Sequence, residues 1–282
     1  MMNWPAYLHD FGYYGPGSVA WKVNREWVVL LGGARAVLMQ VAHPLVALGV
    51  SNHSDYMTDP FGRAERTFLR GEELIFGSTR LARRAARMIN NQHKHVHGFL
   101  PIDAGDFARG TRYDARDPDL LLWVHATLVD TLLLSYKTFV GPLTRAEEEQ
   151  YYQESKVVAH LLGLLPEQMP PGVDDLERYV HEMIHSNQLA PTVQGRELAW
   201  QTLFPPVPGS LRPLLHLQLN ITNALLPQPV REIFNLEWSK HQQRAFELSA
   251  HSMRLLVPRL PMQLRELPIT RHLMRGESRR LA

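Results

Sequence analysis

Apolar and polar positions follow a helical period along almost the whole chain. The breaks between periodic runs fall at glycine and proline: GPG at 15–17, Gly141-Pro142, PPG at 170–172, Pro205-Pro206, and single prolines at 258, 261 and 268. No succession of short alternating segments signals a sheet. The pattern predicts an all-α helical bundle, and without an internal repeat or low-complexity linker it reads as one domain over residues 1–282. Thr144 and Glu147 form a capping box, the reciprocal side-chain and backbone exchange that opens a helix, just ahead of EEEQYYQESKVVAHLLGLL.

Two runs show no polar face: WVVLLGGARAVLMQVAHPLVALGV (27–50) and LLLWVHATLVDTLLLSY (120–136). Helices apolar all round belong at the centre of a fold. Arg35, Gln40, His43, His125 and Asp130 are then polar groups inside a core. Burial costs each of them several kcal/mol unless it finds a partner. A satisfied internal hydrogen bond is the ordinary outcome for any one of them, but five on the two most apolar helices make a cluster to follow. The second run approaches the bilayer minimum of roughly 17–20 residues, yet it carries His125 and Asp130 and reads as a buried helix of a soluble fold.

Composition narrows the chemistry. With 282 residues, 45% of them apolar and 21% charged, the chain can build a substantial core. A net charge of +2 gives nucleic acid no claim as the default partner. Fourteen histidines stand against no cysteine, which excludes disulfides, thiolate zinc sites and thiol catalysis and leaves imidazole and oxygen donors for any metal. The opening MMNWPAYLHDFGYYGPG has neither the basic nor the apolar region of a secretory signal, so a cytoplasmic protein is expected.

In NNQHKHVHGFLP, His93, His95 and His97 sit at alternate positions. A helix puts His93 and His97 on one side, whereas a strand aligns all three. The preceding STRLARRAARMINN predicts a helix ending at Gly98, with Leu81, Ala85, Met88, Ile89, Gln92 and Val96 on its apolar side. His93 and His95 lie at the edges of that side, and both stay candidates for an interior ligand. Arg80, Arg83, Arg84 and Arg87 read as a solvated face, because no interleaved aromatics offer stacking platforms for bases. HEMIH (His181, Glu182, His185) is a literal zinc-hydrolase motif. However, the apolar stripe of its helix turns His181 and His185 roughly 140–180° away from the core. Glu197 would have to reach back from another segment to serve as a third ligand.

Taken in order, LLGGARAVLMQVAHPLVALGV, DPFGRAERTFLR, RMINNQHKHVHG, DPDLLLWVHATLVDTLLLSY, GPLTRAEEEQYYQESKVVAHLLGL and LEWSKHQQRAFELSAHSMRLLVPRLPMQLRELP resemble the rubber-oxygenase and MpaB-type family. The likeness covers nearly the whole chain. It implies a globin-like helical core that binds haem b through one proximal histidine and oxidises its substrate with O2. The family's H-x-x-V-x-G pattern falls on His93, Val96 and Gly98, which makes His93 the implied iron ligand, neutral and with its second nitrogen donating to an acceptor. Arg63 and Thr67 of GRAERT, His125 of WVHATLVD, and Arg35 and His43 match the family's pocket residues.

Two departures matter. Rubber-cleaving members place a lysine over the iron where this chain has Arg66. A guanidinium stays protonated and has no free lone pair, so the expectation is an iron five-coordinate or water-bound at rest, with Arg66 donating hydrogen bonds to distal oxygen in a dry pocket. The acid assigned as base in those members has no counterpart in VAHPLVALGVSNH, and the next acid is Asp55. The implied activity is therefore oxidation of a small hydrophobic molecule by O2 or peroxide, with Arg83, Arg84 and Arg87 available to haem propionates. A haem sensor or store without turnover, and a zinc hydrolase centred on HEMIH, are the rival readings. No transmembrane segment is expected, while peripheral membrane contact stays open.

Overall fold

A computed structural model describes residues 7–53, 59–275 and 277–280; Asp55 lies outside the described residues. In chain order the elements are β1 (Tyr7–Asp10), α1 (Val19–Asn24), a 3-10 turn (Trp27–Gly32), α2 (Gly33–Val41), α3 (Pro44–His53), α4 (Pro60–Phe76) and α5 (Thr79–His93). The hairpin β2 (His97–Phe99) and β3 (Arg112–Asp114) precedes α6 (Pro118–Phe139), α7 (Arg145–Leu161), α8 (Val173–His185) and α9 (Val193–Leu203). The chain closes with α10 (Arg212–Leu225), α11 (Gln228–Ile233), α12 (Lys240–Leu256), α13 (Met262–Arg265), α14 (Pro268–Met274) and β4 (Glu277–Arg280), which pairs antiparallel with β1.

The molecule is mostly helical, as the periodicity predicts. Helix starts follow the local chemistry: side chains of Asp59, Ser78, Asp117, Thr144 and Ser239 each accept a first-turn backbone N–H, and Thr144 and Glu147 close the expected capping box. α6 is the spine. It packs against the 3-10 turn, α2, α7, α8 and α12, and its Trp123 is fully buried with the indole N–H donated to Met39 O at 3.2 Å. Gly32 allows the closest of these approaches, since a Cβ there would stand 2.2 Å from Ser135 Oγ. Among the described residues α6 is the one unbroken helix long and apolar enough to cross a membrane, but most of it is enclosed by the fold.

Three expectations need correction. The apolar run 27–50 is not one helix: it breaks into the 3-10 turn, α2 and α3, with a bend of 107° between the segment 27–41 and α3. Pro44 explains the corner, because proline lacks an N–H and disfavours helical geometry in the residue before it. Both legs are buried, so the run looked uniformly apolar. The helix predicted to end at Gly98 stops at His93, where bonds from His95 N to Gln92 O (3.1 Å) and Val96 N to His93 O (3.1 Å) turn the chain into β2. Short strands exist despite the helical pattern, because strands of three and four residues are too brief to show alternation.

Candidate functional site

His93 closes α5 where four elements meet. α4 and α5 form a helical hairpin, and Arg70 of α4 donates to Gln92 Oε1 at 3.0 Å, tying α4 to the turn that carries His93. Asn90 donates to Leu161 O at 2.9 Å and fixes the same turn to α7. The segment beyond it is pinned by close contacts. A Cβ on Gly49 of α3 would stand 3.2 Å from Val96 Cγ1, and one on Gly98 would stand 2.6 Å from the Tyr113 hydroxyl, so both glycines hold space for a neighbour. Ala115 N donates to Val96 O at 2.9 Å.

The His93 imidazole is half-buried, and its Nδ1, closed to solvent, has no hydrogen-bond partner among the described residues. Burial pushes its pKa below the ordinary histidine value, with the negative charge of Asp114 opposing that shift. Asp114 is itself held down at about 2, first by its hydrogen bonds from the Arg116 side chain (Nε 3.0 Å, Nη2 2.7 Å). His93 is thus a neutral ring on a pinned turn, with Nδ1 unsatisfied; the expected hydrogen bond from its second nitrogen to an acceptor is absent among the described residues. Such a group costs about 1–3 kcal/mol in a finished interior. His95 and His97 are exposed.

His125 projects from α6 toward α7, its Nε2 3.2 Å from Ser155 Oγ. The Ser155 hydroxyl spends its proton on Tyr152 O at 2.7 Å, so its oxygen accepts from His125 Nε2–H and Nδ1 keeps the lone pair. Burial, aided by the charge on Lys156, depresses His125 to about 4. It shares one face of α6 with Leu121, Val124, Leu128 and Leu132. That face remains partly accessible, and Leu128 is 43% exposed midway along the spine of the fold. His125 and the Asn90 turn that leads to His93 thus meet the C-terminal half of α7, at Ser155 and Leu161.

The other predicted residues are placed differently. Arg35 is 3% exposed and fully engaged in the core: Nε donates to Leu225 O (2.8 Å), Nη2 to Asp130 Oδ2 (2.6 Å) and Nη1 to Thr131 Oγ1. It ties α2, α6 and α10 together. His43 is buried at the α2–α3 corner, accepts Leu45 N–H on Nδ1 at 3.3 Å and lies 5.0 Å from the Phe107 ring. Burial lowers it to about 4. From His43 to the Gly49 contact is six residues, about 9 Å along a helix. Arg63 is half-buried, and Arg66 and Thr67 are exposed on α4. Arg66 is bound to Asp59 Oδ2 at 3.0 Å, with both side chains about half exposed among the described residues. Among the described residues most of the N-terminal half of α4 lies at the surface.

His181 and His185 of HEMIH face outward as the helical phase requires, with rings stacked at 4.3 Å and His185 Nδ1 2.8 Å from His181 O. No group of three or more His, Asp or Glu side chains suited to a metal ion is gathered among the described residues. Arg83, Arg84 and Arg87 are exposed, and Arg83 donates to the Tyr13 hydroxyl at 2.8 Å. Sequence reasoning missed Asp114, Tyr113 and Ser155, which come from other elements. It also missed a groove of about 750 Å3 between α9 and α10, walled in part by Trp200, Phe204, Leu219 and Asn223.

A family model described as "ER-bound oxygenase mpaB/B'/Rubber oxygenase, catalytic domain" matches residues 21–255. Uncharacterized proteins of Mycobacterium bovis and Mycobacterium tuberculosis are each 28% identical to this chain over 230 residues, covering 79% of it and 86% of the relative. No solved structure matches it.

Proposed function

Since this chain belongs to the family of ER-bound oxygenase MpaB and rubber-oxygenase catalytic domains, we propose that it is an oxygenase working with haem b. His93 would hold the iron, and the substrate is a small hydrophobic molecule. The observation that carries this is the His93 ring: neutral through burial, set on a pinned turn, and with a buried nitrogen that no described protein group satisfies. A neutral imidazole is the form that binds iron. The partly open apolar face of α6 around Leu128 suits a flat, greasy macrocycle, and a globin-like core is the architecture this reading adopts.

When bound, haem b supplies the redox chemistry that lets an organic molecule react with O2 or peroxide. The protein's part is to hold and to insulate. The contacts of Gly49 with Val96 and of Gly98 with Tyr113 prevent the His93 turn from sliding. Asp114, kept ionised by Arg116, places negative charge near the ring and sustains its basicity. His125 presents a lone pair on Nδ1 because Ser155 takes its Nε2–H, and can accept a proton there. Arg63, Arg66 and Thr67 supply donors from α4.

The test is the visible spectrum of protein expressed with ample haem precursor. A Soret band is expected in the wild type, lost in His93→Ala and kept in His95→Ala and His97→Ala. Colourless wild-type protein, or a band that survives His93→Ala, overturns the assignment. Reduced holoprotein exposed to O2 should yield oxidised apolar product; autoxidation alone would favour a sensor or store.

A further inference from the structure

Exposed leucines stand on neighbouring elements near the end of the chain. Leu214 on α10 (61% exposed), Leu248 and Leu256 on α12 (71% and 63%) and Leu264 on α13 (60%) stand out, with Leu217 and Leu255 beside them. The elements adjoin: α10 touches both α12 and the 3-10 turn, and Trp27 of that turn donates its indole N–H to Leu264 O at 2.9 Å. On α12 the core is met by Phe246, Ala250 and Met253, so Leu248 and Leu255 point the opposite way. Soluble monomers rarely leave so many large apolar side chains together unless something covers them.

Charge says what covers them. Residues 211–225 and 238–265 carry six basic side chains (Arg212, Lys240, Arg244, Arg254, Arg259 and Arg265) against one acid, Glu247, a net +5. The rest of the chain holds 24 Lys and Arg against 27 Asp and Glu, a net −3. Arg265 is spent on buried Glu26; Arg212 lies on α10 and Lys240, Arg244 and Arg254 on α12, helices that also bear the leucines, with Arg259 between α12 and α13. A symmetric second copy would set these cations against themselves. Nucleic acid would meet the cations but press leucine against phosphate. An anionic bilayer satisfies both, with leucines entering the acyl boundary and guanidinium groups resting at the headgroups.

We infer that the face formed by α10, α12 and α13 docks the protein peripherally on an anionic lipid surface. An oxygenase for hydrophobic molecules then works where such molecules concentrate, although the docking stands independently of the haem reading.

Vesicle sedimentation tests it. The intact protein should bind phosphatidylcholine vesicles containing phosphatidylserine at least about tenfold more tightly than phosphatidylcholine alone, and salt should weaken the binding. Leu248→Ser with Leu256→Ser should cost about tenfold or more, as should Arg244→Glu with Arg254→Glu. All four positions are exposed, so melting temperature should not move. Equal binding to both vesicle types, no binding, or binding indifferent to the leucine pair overturns the inference. So does a solution dimer that the leucine pair dissociates, or duplex DNA binding that it leaves intact. His93→Ala should bind vesicles like the wild type, so this test and the spectral one fail separately.

Discussion

Arg35 and His93 are both polar side chains set among apolar helices, and the protein treats them oppositely. Arg35 is sealed in the core with donors placed on Asp130, Thr131 and Leu225 O, three partners on two other helices. His93 sits at a helix end, half-covered, with a nitrogen that nothing answers. Burial is deeper at Arg35, yet the unfinished valence is at His93. A buried polar residue whose bonds are complete is architecture, whereas one left incomplete, as His93, Ser135, Gln201, Asn223 and Arg271 are, calls for a partner; at His93 the proposed function supplies one. His43 and His125 fall nearer Arg35 on this scale, since each already has a partner at 3.2–3.3 Å.

The largest effect should come from the architectural side. Arg35→Met leaves Asp130 and a core carbonyl without their donor and should cost about 3–5 kcal/mol in denaturant unfolding, while haem uptake per folded molecule stays unchanged. Loss of haem uptake in the still-folded variant would erase the distinction. Acid comes next. His43 falls from 6.5 unfolded to about 4 folded, so the unfolded chain takes up the proton first. Stability should therefore fall as pH drops from about 6.5 to about 4, by roughly 3 kcal/mol for this residue, and level off below. His43→Gln should flatten that slope; an unchanged slope would show the ring is solvated.

On the ligand side the changes in stability shrink while those in cofactor uptake grow. Gly98→Ala forces the Tyr113 hydroxyl aside and should cost about 1–3 kcal/mol, with weaker haem retention at limiting haem because the His93 turn shifts. His93→Ala should move stability by less than about 1 kcal/mol, because no protein bond is lost, yet abolish the Soret band. A large destabilisation from His93→Ala would make it architecture too.

Much of the fold was legible because it is written locally. The Thr144 capping box, the extent of α6 and the outward phase of HEMIH follow from spacing within a few turns. What was not legible depends on distant partners. Gly98 is required by a tyrosine 15 positions on, and the strand that follows His93 exists because β3 pairs with it. Arg35 and Asp130 were each visible as charges on core helices, and opposite sign was the available clue that they pair. The resemblance picked His93 from its neighbours, which periodicity alone left tied with His95.

The corner at His43 and Pro44 keeps its peptide hydrogens away from solvent. Ala42 N–H is held by Leu38 O, His43 N–H by Gln40 O, Ala47 N–H by His43 O and Leu45 N–H by the His43 ring, all beneath buried side chains, and Pro44 has none to lose. Isotope exchange at these four amides should therefore run on the clock of global opening. α2 and α3, though they diverge by a right angle and more, should give up their protons together as one cooperative unit.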